Sequence, residues 1–103
     1  MYVRMVIGEV IDDGALRDID SNAIREFVSI YKEQILPQIQ AEEGLQRTEL
    51  MIEEGGRMIL VLSYWKNRDS CLKYHASRRY RHFVSKTQHL LVGDFVVKLF
   101  RME

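Results

Sequence analysis

A chain of 103 residues has room for one hydrophobic core and too little sequence for a second. Its 47% hydrophobic and 29% charged residues are the proportions of a folding globular domain, which excludes a disordered or fibrous chain. Lys plus Arg number 15 and Asp plus Glu number 15, so no global field draws phosphate backbones, and nucleic acid is not expected as a partner.

A single cysteine, Cys71, cannot close an internal disulfide, and no Cys/His spacing resembles a zinc site. The first residues run directly into an alternating strand-like segment, and no stretch approaches the roughly 18 apolar residues of a membrane span. These features are read as a cytoplasmic protein with no membrane partner and no metal.

Tyr2 to Ile11 is rich in β-branched and apolar types and ends at the turn cluster Asp12-Asp13-Gly14, which predicts a first strand. Ile24, Phe27, Val28, Tyr31, Ile35 and Ile39 follow at the spacing of one helix face, with Asp20, Ser21 or Asn22 available as its cap. Pro37 interrupts that helix, which should kink or tighten there before ending at Gly44. Leu45 to Ile52 and Arg57 to Trp65 are two strand-like runs around Glu53-Glu54-Gly55-Gly56, a hairpin signal, and should pair antiparallel.

In the run ending at Trp65, Met58, Leu60, Leu62 and Tyr64 point one way, and Ile59, Val61, Ser63 and Trp65 the other. Both rows are nearly all apolar, so both faces of the sheet need cover. Asn67 is a good cap for a second helix carrying Cys71, Leu72, Tyr74, His75, Tyr80, Phe83, Val84 and Leu90, and Ser77 to Arg79 breaks its rhythm into two pieces. After Gly93, Asp94 to Arg101 reads as the last strand, with Phe95, Val97 and Leu99 on one face.

The order βαββαβ with right-handed crossovers specifies an α+β, ferredoxin-like fold, one domain over residues 1–103 with a four-stranded antiparallel sheet and both helices on one side. The other side stays open. Sealing it against a second copy, as a homodimer through the sheet faces, is the simplest way to cover the doubly apolar third strand.

Among candidate site residues, Trp65, Asn67, Tyr74, His75, Tyr80, His82 and Phe83 place aromatic and imidazole groups at the end of the third strand and along the second helix. His75 shares a helix face with Cys71 and Leu72, so it looks toward the sheet. It reads either as a core histidine bonded to a backbone carbonyl or as an imidazole that exchanges a proton near pH 7. His82 and His89 read as surface residues, Cys71 as a small buried hydrophobe, and Arg78, Arg79 and Arg81 as a solvated helix face.

The segments Ser63-Tyr64-Trp65-Lys66-Asn67, Tyr74-His75-Ala76-Ser77 and Tyr80-Arg81-His82-Phe83-Val84 resemble the antibiotic biosynthesis monooxygenase family of dimeric α+β barrels. The resemblance implies a homodimer with a cavity in each subunit between sheet and helices. It also implies an oxygenase that uses no cofactor and acts on a small aromatic ligand such as a quinol, phenol or polyketide, the reduced ring itself supplying electrons to dioxygen. On that reading His75 is the general base and Trp65 its catalytic neighbour, with Tyr64, Asn67, Tyr74, Tyr80 and Phe83 binding substrate.

Two departures narrow it. Val61 stands where polyketide oxygenases of this type carry a substrate-binding Asn. In an ungapped alignment Tyr74 and Val84 occupy the Trp and His positions of the haem-degrading branch, and Tyr2 to Ile11 holds no Asn, so haem degradation is disfavoured. A module of another class, binding a hydrophobic metabolite or haem without turnover, also fits the residues.

Overall fold

A computed structural model describes residues 1–14 and 21–103. Strands β1 (Tyr2–Glu9), β2 (Leu45–Ile52), β3 (Met58–Trp65) and β4 (Val96–Arg101) form one antiparallel sheet in the order β2-β3-β1-β4. The helices are α1 (Asn22–Ile30), α2 (Leu36–Ile39), α3 (Arg68–His75) and α4 (Arg78–Thr87), with a short 3-10 turn at Gln88–Leu90. This is the ferredoxin-like arrangement expected from the element order.

Local chemistry accounts for most boundaries. The Ser21 hydroxyl accepts from the Ile24 N–H at 3.1 Å and starts α1, whereas the alternative cap Asp20 lies outside the described residues. Asn67 does the same for α3 through Ser70. Ser77 starts α4 by accepting from Tyr80 at 3.2 Å while its hydroxyl donates to the Tyr74 carbonyl at 2.6 Å. One side chain thus closes α3 and opens α4, the break anticipated at Ser77 to Arg79.

The last strand begins at Val96 and not Asp94. Two further expectations need correction. The first strand ends at Glu9 and not Ile11, because the Ile11 N–H bonds the Leu90 carbonyl at 2.8 Å and the Val92 N–H bonds the Glu9 carbonyl at 2.8 Å. The first helix does not tighten at Pro37; it widens before it, into a π-helical turn at Tyr31–Ile35 in which the Leu36 N–H reaches the Tyr31 carbonyl. Proline has no N–H for the carbonyl four residues back and would strike it, and the wider turn moves that carbonyl away. The steps from Tyr31 to Ile35 to Ile39 each overrun a regular helical turn by about 40°. The wide turn takes that overrun back, and all three side chains stay buried.

The face of the sheet beneath the helices carries Arg4, Val6 and Gly8 of β1, Ile59, Val61, Ser63 and Trp65 of β3, and Val97 and Leu99 of β4. Phe27, Phe83 and Phe95 meet edge to face, with ring centroids 5.3 to 6.3 Å apart. Gly8 makes room for them, since a Cβ there would stand 2.9 Å from the Phe95 ring. The opposite face carries Val3, Met5, Ile7, Leu60, Leu62, Tyr64, Val96 and Phe100, and among the described residues no helix lies over it. Among the described residues no helix is long and apolar enough to cross a membrane.

Gly44 ends the first helical unit in the left-handed region at φ 85°, its carbonyl accepting from the Lys66 N–H at 2.7 Å. A Cβ at this position would lie 2.5 Å from the Ser70 hydroxyl. Gly44→Ala should therefore cost at least about 1–2 kcal/mol in backbone strain, with the displaced Ser70 adding to it. Urea unfolding checks this, and an unchanged midpoint would refute it.

Candidate functional site

β1 places an arginine under the helices. Arg4 alternates with Val6 and Gly8 on the inward row and is only 3% exposed. Its guanidinium lies 4.0 Å over the Tyr80 ring and 5.4 Å from the Tyr74 ring. Its Nε and Nη2 donate to His75 Nδ1 at 3.3 and 3.0 Å. Arginine only donates, so Nδ1 must be the unprotonated nitrogen and Nε2 carries the hydrogen of a neutral ring.

His75 lies in the last turn of α3, its ring stacked on Tyr80 at 5.5 Å. Of the two readings of this residue, a bond to a backbone carbonyl is not the one found. Burial, and after it the Arg4 charge, hold the imidazole pKa below the usual histidine range. Unfolding frees the ring to titrate at its ordinary value of about 6.5, so just below that pH the unfolded chain binds a proton that the folded one refuses. The His75 contribution to stability is complete above about pH 6.5 and falls with pH until the folded ring also titrates. Thermal unfolding between pH 7.5 and 5 should show a shallower decline for His75→Gln than for the parent, and parallel declines would refute the assignment.

Arg4 and His75 line one side of a cavity of about 270 Å³, completed by Cys71 and Leu72 of α3 and Val97 and Leu99 of β4. Cys71 is buried, and desolvation pushes its thiol pKa up despite Arg4 and Arg68, as suits an inert packing residue.

Of the residues given a catalytic or substrate-binding role from the sequence, only His75 lines this cavity. Tyr74 and Tyr80 reach it through Arg4. Trp65 is completely buried, its indole N–H donating to Ser63 Oγ at 2.8 Å and its ring stacked 5.4 Å from Tyr74. Phe83 belongs to the phenylalanine cluster. Tyr64 is on the opposite face of the sheet beneath Arg47, and the Asn67 carboxamide is engaged as a cap, so neither is brought to His75.

His89 pairs with Glu26 at 3.2 Å on the surface, and Arg79 bonds Glu42 at 3.0 Å. Among the described residues no group of three or more His, Cys, Asp or Glu is placed to hold a metal ion. Arg4, Leu72, Val97 and Leu99 were missed in the sequence.

The sequence profile described as "Antibiotic biosynthesis monooxygenase" matches residues 15–86. The chain belongs to the antibiotic biosynthesis monooxygenase family. A search of curated proteins found no match. Solved structures with the family's fold are similar over nearly the whole chain. One is a monooxygenase from the gene ActVA-Orf6 of Streptomyces coelicolor in complex with nanaomycin D, with TM-score 0.79 and 12% identity over 99% of this chain and 87% of that one.

Another is SnoaB, a cofactor-independent oxygenase from Streptomyces nogalater, with TM-score 0.72 and 15% identity over 98% of this chain and 92% of that one. A conserved protein from Methanosarcina mazei Go1 matches with TM-score 0.74 and 16% identity over 99% of this chain and 93% of that one. At such identities the likeness is one of fold. The chemistry has to be read from this family member's own residues.

Proposed function

We propose that the chain is a monooxygenase that oxidises a small aromatic substrate with dioxygen and without a cofactor, using the Arg4 and His75 cavity. The observation that carries the reading is the meeting of a buried cation and a neutral imidazole on one wall of a cavity that is otherwise apolar. Family membership and the cofactor-independent oxygenase among the structures of this fold support it.

The ring hydroxyl of a quinol or phenol approaching His75 Nδ1 gives up its proton there, and Arg4 turns its N–H groups from Nδ1 to the new oxyanion. Arg4 thereby offsets the weak basicity that burial and its own charge impose on the imidazole. The electron-rich anion supplies electrons to dioxygen. One oxygen atom enters the ring, and the other leaves as water with two hydrogens of the substrate. Trp65, Tyr74 and Tyr80 act by holding Arg4 in place.

The same reading includes a homodimer formed through the open sheet faces, supported by the uncovered row Met5, Ile7, Leu60, Leu62 and Phe100.

Oxygen uptake measured against a panel of hydroquinones and anthrones tests the activity. Acceleration over buffer is expected with the parent chain, reduced about 10²- to 10⁴-fold in His75→Ala. A panel on which the two proteins consume oxygen alike would sink the proposal. Ligand binding without uptake would favour the non-catalytic binding module instead.

A further inference from the structure

Among the described residues, Arg4 has no anion beside it. Its contacts are an imidazole held neutral and two aromatic faces, and among the described residues no carboxylate lies within 4.0 Å of it. A guanidinium does not shed its proton to escape burial. Taking such a charge out of water costs several kcal/mol, and a desolvated cation–π contact returns about 2 kcal/mol. The fold keeps a cation where a counter-ion is missing.

The guanidinium is also open on one side. Nη1 makes no hydrogen bond among the described residues, yet no buried side-chain nitrogen or oxygen there lacks a partner, so Nη1 is reached by solvent. Arg4 lines the cavity described above, whose remaining walls beyond His75 are Cys71, Leu72, Val97 and Leu99. Positive charge sits on one wall and apolar surface on the rest. Leu72 and Leu99 are each 38% exposed, and such leucines at a mouth suit a ligand with an apolar body.

Size narrows the ligand further. A dry cavity of about 150 Å³ accommodates benzene. The roughly 270 Å³ available here takes one substituted ring, with the mouth beyond it open.

We propose that this cavity binds a single-ring aromatic carboxylate, its carboxylate paired with Arg4 and its ring lying against Leu72, Val97 and Leu99. The guanidinium fork offers two parallel N–H donors to the two carboxylate oxygens. The inference rests on reading this cavity as the substrate site, and it narrows the substrate to a ring that carries a negative charge before any proton is removed.

Calorimetric titration of the protein with benzoate and its neutral isostere benzamide tests the assignment. Benzoate should bind about 10- to 100-fold more tightly than benzamide, the value of a charge-assisted pair. Arg4→Met should remove the preference for benzoate while remaining folded, because an apolar side chain of similar length replaces an unpaired buried charge; circular dichroism verifies the fold.

A Leu99→Trp variant, which fills the cavity and keeps Arg4 in the chain, should lose both single-ring ligands. Equal affinity for benzoate and benzamide, preference surviving in Arg4→Met, or no benzoate binding at tens of millimolar would each overturn the inference. Oxygen uptake is read separately. Benzoate selectivity without turnover of any quinol removes the oxygenase reading alone, and turnover of neutral hydroquinone without benzoate selectivity removes the carboxylate alone.

Discussion

Trp65→Ala is expected to cost about 3–5 kcal/mol, the range for deleting a fully buried large aromatic. The side chain is 0% exposed and stacked on Tyr74, and its N–H occupies the hydroxyl of Ser63, itself 2% exposed. Truncation leaves both a cavity and a buried hydroxyl short of a partner, and the second loss adds about 1–3 kcal/mol. A domain of this size is held by about 5–15 kcal/mol, so the variant should be largely unfolded at temperatures the parent tolerates. Trp65→Phe should lose far less, since it keeps the stack. Guanidinium unfolding followed by far-ultraviolet circular dichroism measures both, and a loss below about 1 kcal/mol for the alanine variant would contradict the packing described.

The second large effect is expected on the other side of the sheet. Leu62 lies in the row that none of the described helices covers, opposite Met5 of β1 and Glu49 of β2, and its sheet neighbours already leave it only 8% exposed. In a dimer joined through these faces, Leu62→Glu buries two unpaired carboxylates, each costing several kcal/mol. At 1.4 kcal/mol per tenfold change, the dissociation constant should rise by at least about 10³-fold. Analytical ultracentrifugation at micromolar concentration should find the parent dimeric and Leu62→Glu monomeric with its circular dichroism intact. A monomeric parent, or a variant that still dimerises, would remove the sheet faces as the interface.

The architecture was readable because its signals are local. Ser21, Asn67 and Ser77 precede their helices with side chains that accept from the first turn, and each acts as a cap. The paired apolar rows of β3 announced a sheet with two sides to cover before any topology was known. The widened turn at Tyr31–Ile35 was not readable in its direction, because Pro37 forbids one hydrogen bond without choosing between a tighter and a wider turn.

The site was read less well, and for reasons that alternation makes plain. Tyr64 and Trp65 are neighbours on a strand and so cannot face the same pocket, and a side chain used as a helix cap, as Asn67 is, has little left for a ligand. Both points were already in the sequence. Arg4 was overlooked because both rows of β1 are mostly apolar, Val3, Met5 and Ile7 against Val6 and Val10, so nothing local says which row the helices cover. Val97 and Leu99 become walls of the cavity only through their register beside Val6 and Arg4, a pairing between residues more than ninety positions apart in the chain.

The stack of Trp65 on Tyr74 also gives the protein an optical signature. The chain has a single tryptophan, it is wholly shielded from water, and the ring it rests on touches Arg4. Its emission should be blue-shifted in the native state and move to longer wavelength when water reaches the indole, so unfolding can be followed without a label. Because only one tyrosine ring separates that indole from the guanidinium, a charge placed against Arg4 is felt within two side chains of the fluorophore, and occupancy of the cavity has an intrinsic reporter beside it.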